Sequence, residues 1–190
     1  MVDHAPEFKP VTPLAGTAEL PGSDQIELSV VSGVTCAQIF AKSGKQAELC
    51  RRLAIGDQPG CAIVLPDFTA LPLSPGQWML VSTEEAQKDS FAGSIADQIE
   101  GIGHVSNQSD SRVCFRLSGP AARAVMAKGC RLDLHPKVVR AGFCAQTIMA
   151  QIGVILHQVD DTPTYHMLVY SGFARDFRDW IEAAALEFTV

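Results

Sequence analysis

The sequence lacks several patterns that mark common functions. No two of its six cysteines form a Cys-x-x-Cys pair, which is the usual local arrangement for zinc or redox chemistry. No apolar run approaches the roughly 20 residues that span a bilayer. The N-terminus has no basic segment followed by an apolar one, so no secretory signal is visible. The sequence therefore predicts a cytoplasmic protein whose cysteines are free, reduced and mainly structural.

Basic residues and glycine-rich loops are also scarce. Lys and Arg total 15 against 21 Asp and Glu, giving a net charge of −6, which argues against nucleic acid as the main partner. Gly101 and Gly103 follow a predicted helix instead of a strand, so they do not form a phosphate-binding loop. No Gly-x-Ser-x-Gly elbow of a serine hydrolase occurs.

One cluster of residues has the chemistry of a metal site. Cys130, His135 and Cys144, with Asp133 between them, offer three soft or borderline ligands, but the spacing indicates no fourth. A buried structural corner is the preferred interpretation. His104, His157 and His166 are likewise interpreted as structural histidines. The sequence therefore predicts no catalytic, cofactor-binding or metal-binding residue in this chain.

The composition is typical of an ordered globular protein, with 47% hydrophobic and 19% charged residues. Residues 1–24 contain four prolines and little periodicity, which predicts an extended N-terminal arm. Residues 25–190 are predicted to form a single α+β unit with two pseudo-repeated lobes, about 25–110 and 111–190.

In the first lobe, segments that are apolar or that alternate between apolar and polar residues predict strands. Phe91, Ile95 and Ile99 recur at every fourth position, which predicts a helix with one buried face. Residues 57–76, rich in Pro and Gly, are predicted to carry the chain around a corner. The remaining predicted elements are strands over 26–31, 36–41 and 77–82 and a helix over 42–53.

In the second lobe, Gly119 is predicted to cap a helix that begins at Pro120 and ends at Lys128 and Gly129. Residues 147–156 are predicted to form one strand, with Gly153 at a bulge or a close backbone approach. The other predicted elements are a strand over 113–117, a hairpin strand over 165–170, and a last helix from Ser171 or Gly172 that buries Phe173, Phe177, Trp180, Ile181 and Ala184. These alternations predict an α+β fold of split β-α-β units with antiparallel or mixed sheets.

Two long strings carry a family resemblance. Residues 116–136 read RLSGPAARAVMAKGCRLDLHP, and residues 142–158 read GFCAQTIMAQIGVILHQ. Together with residues 12–14 (TPL) and 75–78 (PGQW), they resemble the gamma subunit family of heterotetrameric sarcosine oxidase. That family is similar in turn to the folate-binding aminomethyltransferases of the glycine cleavage system.

The resemblance implies a complex with alpha, beta and delta subunits. Such a complex oxidises sarcosine with O2 and tetrahydrofolate to glycine, methylene-tetrahydrofolate and H2O2, and it carries FAD, FMN and NAD. The resemblance implies that none of these cofactors is bound by the gamma chain, whose role would be structural.

The comparison with aminomethyltransferases also bears on folate. Residues 117–120 and 153–155 match two family elements, and the resemblance implies that the folate-facing Asp pair would fall near Leu156 and His157. Neither residue is acidic, so we expect weak or no binding of tetrahydrofolate. The alternative is a small stand-alone folate-binding protein that transfers a one-carbon unit. The missing carboxylates and a length about half that of a complete aminomethyltransferase count against it.

Overall fold

Strands dominate the part of the chain that the computed structural model describes, residues 13–15, 22–83 and 90–189. The strands described there are β1 (Glu27–Val30), β2 (Thr35–Ala41), β3 (Ile63–Val64), β4 (Thr69–Ser74), β5 (Gln77–Ser82), β6 (Gly103–Asn107), β7 (Arg112–Ser118), β8 (Cys144–Met149), β9 (Ile152–Asp160) and β10 (Thr164–Tyr170). The α-helices described are α1 (Gln46–Leu53), α2 (Phe91–Gln98), α3 (Ala122–Ala127) and α4 (Ala174–Ala185).

The strands form two five-stranded sheets. The order is β3-β4-β5-β2-β6 in the first sheet and β1-β7-β10-β9-β8 in the second. Neighbouring strands run antiparallel. Since β5 and β6 both run antiparallel to β2, they are parallel to each other, and α2 joins them across the intervening strand. This is a split β-α-β unit, and the predicted α+β fold is confirmed.

The two sheets pack face to face and the helices cover their outer faces, giving four layers. In the first sheet, Trp78 and Leu80 pack outward against α1 and α2, while Met79 and Val81 point inward. Strand β5 is therefore buried on both faces, which explains its continuous apolar sequence. The layer between the sheets is a single cluster of buried side chains, formed by Cys36, Leu71, Met79, Val81, Cys114, Cys144, Ile155 and Leu168.

The two sheets share one topology. Strands β3, β4, β5, β2 and β6 occupy the same positions as β8, β9, β10, β7 and β1. In the first sheet, β6 follows α2 in the chain and forms the edge next to β2. In the second sheet, the corresponding edge lies next to β7, and it is formed by β1, which comes from the other end of the chain instead of following α4. Residues 27–30, placed in the first lobe by the sequence, thus pair with β7 of the second sheet. The division into domains stays a prediction.

The described part of the N-terminal arm contacts its own chain. Leu14 packs against the core of the second sheet, and Pro13 accepts a hydrogen bond through its carbonyl from Arg175 Nε of α4 at 2.9 Å. Further along, Ser23 Oγ donates to the Phe188 carbonyl at 2.5 Å. Residues 1–12 and 16–21 of the predicted arm lie outside the described residues.

Two strand predictions were wrong. Residues 57–76 were predicted as a corner but contain β3 and β4. Residues 147–156, predicted as one strand, contain the turn between β8 and β9. That turn places Ala150 at φ 48° and Gln151 at φ 68°. Tight hairpin turns of this kind usually carry Asn or Gly, so Ala and Gln at these two positions do not signal the turn.

Glycine and aromatic roles also differ from the predictions. Gly153 pairs in regular register with Ile148, and no heavy atom lies within 4 Å of where its Cβ would be, so it marks neither a bulge nor a close approach. Phe173, predicted as buried, is 51% exposed. Gly119 does not cap α3, because that helix is preceded by Ala121 at the capping position.

Candidate functional site

A histidine pair lies on the inner face of the second sheet. His157 on β9 and His166 on β10 are directly opposite each other in the strand register. Side chains of such cross-strand partners point to the same side of the sheet. Their ring centroids are 6.2 Å apart and the ring planes are inclined by 76°. The sequence reveals each histidine separately but not the pairing, because the pairing depends on the register set by the turn at 160–163.

The histidine pair faces a pocket of about 290 Å³ between the two sheets. One wall is formed by the β3–β4 hairpin and the end of β5, and the opposite wall by β9 and β10. Most of the lining side chains are aliphatic or aromatic, with hydroxyl groups and one carboxylate among them. The lining residues are Val64, Leu65, Pro66, Asp67, Phe68, Thr69, Leu71, Val81, Ser82, Thr83, His157, Val159, His166 and Leu168.

His157 is held neutral by its surroundings. It is only 5% exposed, and its Nε2 has no hydrogen-bond partner in the described part of the chain. Burial, and secondarily the charge of His166, lower the pKa of His157 from 6.5 to about 4. Burial also lowers the pKa of His166; nearby Arg116 acts in the same direction, and Asp160 opposes it. An unsatisfied buried nitrogen costs about 1–3 kcal/mol, so this position is not optimised for stability alone.

The lowered pKa of His157 predicts an acid-sensitive fold. The folded protein binds this proton less tightly than the unfolded chain, so the stabilisation is fully present above pH 6.5 and lost as the pH falls towards 4. At pH 4 and below the loss approaches about 3 kcal/mol. Between pH 7 and pH 4, the wild type should lose about 3 kcal/mol more of its free energy of unfolding than His157→Phe does, measured by urea denaturation. His104→Phe, an exposed position on β6, is the control. Equal pH dependence in His157→Phe and wild type would contradict this.

A network of polar side chains lies on the outer face of the same sheet, and hydrogen bonds join its members. Arg123 of α3 donates through Nε to Tyr165 Oη at 2.8 Å and through Nη2 to Gln158 Oε1 at 3.2 Å. Gln158 Nε2 donates in turn to the Asp160 carbonyl at 2.8 Å. Since each of these groups has partners, the network fixes α3 and the end of β9 against the sheet. Sequence reasoning did not identify Arg123, because its partners are 35 and 42 residues away.

The predicted metal candidates do not come together. Cys144 is buried between the sheets, whereas Cys130 packs against the core on the opposite face of the second sheet. His135 is exposed and accepts a hydrogen bond through Nδ1 from the Lys137 backbone N–H. The corner that contains it is thus exposed apart from Leu134, contrary to the buried interpretation. Nowhere in 13–15, 22–83 and 90–189 do three His, Cys, Asp or Glu side chains form a potential metal site.

The buried thiols are chemically quiet. Burial raises the pKa of Cys36 to about 12, and it raises the pKa of Cys144 to about 12 as well. The pKa of Cys114 is raised further by burial. Because the thiolate is the reactive form, these side chains behave as small apolar groups in the layer between the sheets.

The aminomethyltransferase resemblance implies a pair of carboxylates at positions 156 and 157. Leucine and histidine stand there instead. Leu156 is fully buried in the outer core of the second sheet, and His157 points into the pocket on the inner face. No acid is present at these two positions of β9. Among the described residues, no helix has the length and apolar character needed to cross a membrane.

Comparisons with solved structures place this architecture in a known class. The crystal structure of glycine cleavage system aminomethyltransferase T from Bartonella henselae superposes with a TM-score of 0.62. It is 15% identical, and the match covers 83% of this chain and 45% of that chain. The four-layered fold is therefore that of aminomethyltransferase-like proteins.

The family is more specific. The model of the sarcosine oxidase gamma subunit family matches residues 54–187, and this chain belongs to that family. A relative named sarcosine oxidase subunit gamma, from Corynebacterium sp. (strain P-1), is 27% identical over 190 residues, which cover 98% of this chain and 89% of the relative. The corresponding protein of Corynebacterium sp. (strain U-96) is 28% identical over 173 residues, with 90% and 79% covered.

A solved structure extends the likeness over nearly the whole fold. It is that of the heterotetrameric sarcosine oxidase from Corynebacterium sp. U-96 in complex with pyrrole 2-carboxylate. One of its chains superposes with a TM-score of 0.82 at 24% identity, covering 95% of this chain and 97% of that chain.

Proposed function

We propose that this chain is the structural gamma subunit of a cytoplasmic heterotetrameric sarcosine oxidase, assembled with alpha, beta and delta subunits. The complex would oxidise sarcosine with O2 and tetrahydrofolate to glycine, methylene-tetrahydrofolate and H2O2. FAD, FMN and NAD would be held by the other subunits. The observation that carries the proposal is the family match over residues 54–187.

Two features of the chain support a role without catalysis. Leu156 and His157 stand where the aminomethyltransferase resemblance implies carboxylates, and the buried thiols of Cys36 and Cys144 are protonated at neutral pH. Positions 156 and 157 of β9 thus offer no carboxylate pair for acid-base chemistry. The thiols of Cys36 and Cys144 are not activated as nucleophiles.

The segment 133–138 is a candidate contact with another subunit. It is exposed except for Leu134, and Val138 is 57% exposed. Local hydrogen bonds hold its shape: the His135 backbone N–H donates to Asp133 Oδ1 at 2.9 Å, and Val139 N–H donates to the His135 carbonyl at 3.0 Å. A rigid exposed corner loses little conformational entropy when it docks.

Co-expression with and without this chain tests the proposal. We expect that omitting it lowers the yield and the melting temperature of the remaining complex, because an interface is lost. The KM for sarcosine in the surviving complex should be unchanged. Val138→Asp should weaken co-purification at least tenfold while leaving the melting temperature of the isolated chain unchanged. Val64→Asp, a similarly exposed valine on β3, is the matched control.

Two results would contradict this function. One is normal assembly and turnover of the complex without the chain. The other is calorimetric binding of tetrahydrofolate to the isolated chain at micromolar or tighter affinity, which would favour the stand-alone one-carbon transfer protein.

A further inference from the structure

The pocket between the sheets has a feature that the packing of this chain does not explain. Its floor holds the His157 ring, 95% buried, with Nε2 unpartnered among the described residues. Buried polar atoms nearly always have partners. The surrounding space, about 290 Å³, is several times what one water molecule occupies, and it is roughly twice the 150 Å³ cavity that accepts benzene in an engineered protein. The site is therefore large enough for a small organic molecule.

We propose that this pocket binds a small uncharged molecule with an apolar body and a hydroxyl or amide group that hydrogen-bonds to His157. All of the lining residues belong to this chain, so the proposal does not rest on the assembly proposed above. The apolar body would lie against Leu65, Phe68 and Leu168. The polar group would meet the imidazole at Nδ1, because Nε2 has almost no accessible surface. A neutral histidine presents one N–H donor and one bare acceptor nitrogen.

The charges around the histidine pair disfavour a charged ligand. Asp67 lines the pocket and repels anions, and Arg116 near His166 is already paired with Glu27 at 3.0 Å, so it offers an anion no free positive charge. A charged group would also lose its hydration against the apolar walls. A neutral ligand that carries its own donor and acceptor avoids both costs.

The pH dependence follows from the groups that face His157. These are His166 on β10, the Cys144 thiol opposite on β8 and Asp67 on the β3–β4 hairpin, while Arg116 and Asp160 act on His166. Burial keeps His157 neutral at pH 7 and above, and the Cys144 thiol stays protonated. The affinity for an uncharged ligand should therefore be constant between pH 7 and pH 8.

Three one-ring probes of matched shape test the ligand class. Benzyl alcohol, benzoate and benzylammonium are titrated into the full-length chain at pH 7.5, with the ring C–H resonances of the histidines observed by NMR. We expect benzyl alcohol to shift the His157 and His166 resonances saturably and to bind at least tenfold more tightly than either ion. His157→Phe, which keeps a ring but removes both nitrogens, should weaken binding at least fivefold.

Two further variants keep the test decisive if His157→Phe folds poorly. Val159→Trp places a bulky side chain at the half-exposed rim and should block binding, whereas His104→Phe on β6 should leave it unchanged. Absence of a saturable shift, or binding of benzoate as tight as that of the alcohol, would overturn the proposal. So would loss of alcohol binding, seen by saturation transfer, when the other subunits are added, because the pocket would then receive a partner side chain.

Discussion

Replacing Gly119 by alanine is expected to destabilise the protein by about 3–5 kcal/mol, from backbone strain and lost core burial together. Gly119 has φ +112°, and an added Cβ would lie 2.4 Å from the Gln25 carbonyl oxygen and 3.0 Å from Ile26 Cα. Both contacts are with backbone atoms, so no side-chain rotation can relieve them. The segment before β1 would have to move away, and Ile26, 1% exposed, would leave the core of the second sheet.

The matched control for this substitution is Gly142→Ala. Gly142 also has a positive φ, +82°, but no heavy atom lies within 4 Å of the position of its Cβ. It should therefore show only the conformational cost, about 1 kcal/mol. Urea denaturation of both variants separates the two effects. Equal losses would mean that the close approach of residues 25 and 26 contributes nothing.

Gly119 also illustrates what the sequence could and could not predict. The Ser-Gly-Pro string correctly marks the boundary between β7 and α3, and capping preferences explain Gly there. Its structural reason is different, because the constraint comes from a segment more than 90 residues earlier in the chain. Gly129 is a similar case. The helix α3 ends beside it, as predicted, with Lys128 at the capping position. Gly129 also admits Trp180, whose Cζ2 would lie 2.4 Å from an added Cβ.

Local patterns predicted the elements whose signals are local. The apolar run of β5 was confirmed because a strand buried on both faces has a continuous apolar sequence. The stripe of α4 at Phe177 and Ile181 was confirmed because one-sided burial of a helix shows in the sequence period. Strands β3 and β4 were missed because β4 contains Pro72 and because Pro66 and the Pro75-Gly76 pair beside the strands resemble loop sequence. Strand β4 gains its stability from pairing with β5. The candidate site was missed because it also depends on strand pairing. The His157–His166 pair forms only when β9 and β10 pair in their observed register.

The common topology of the two sheets predicts that β1 can be supplied from the other end of the chain. A circular permutant would begin at Thr35, continue to Val190, and then carry residues 22–34 after a short glycine-serine linker. The ends to be joined are adjacent, because Ser23 Oγ donates to the Phe188 carbonyl at 2.5 Å. In this permutant β1 would follow α4 as β6 follows α2 in the first sheet. We expect it to fold and to unfold cooperatively in urea.

The matched control is the truncated chain 35–190, which lacks residues 1–21 just as the permutant does. Truncation removes Ile26 and Leu28, which are 1% and 4% exposed in the core of the second sheet. Losing a buried side chain of this size costs about 2–5 kcal/mol, so together they approach the total stability of about 5–15 kcal/mol typical of a domain. The truncated chain should therefore be largely unfolded by circular dichroism, whereas the permutant is folded. A truncated chain as stable as the permutant would show that β1 is dispensable. An unfolded permutant would show that β1 must precede β2 in the chain. The two sheets would then share a strand order, but the connection α4–β1 could not replace the native one.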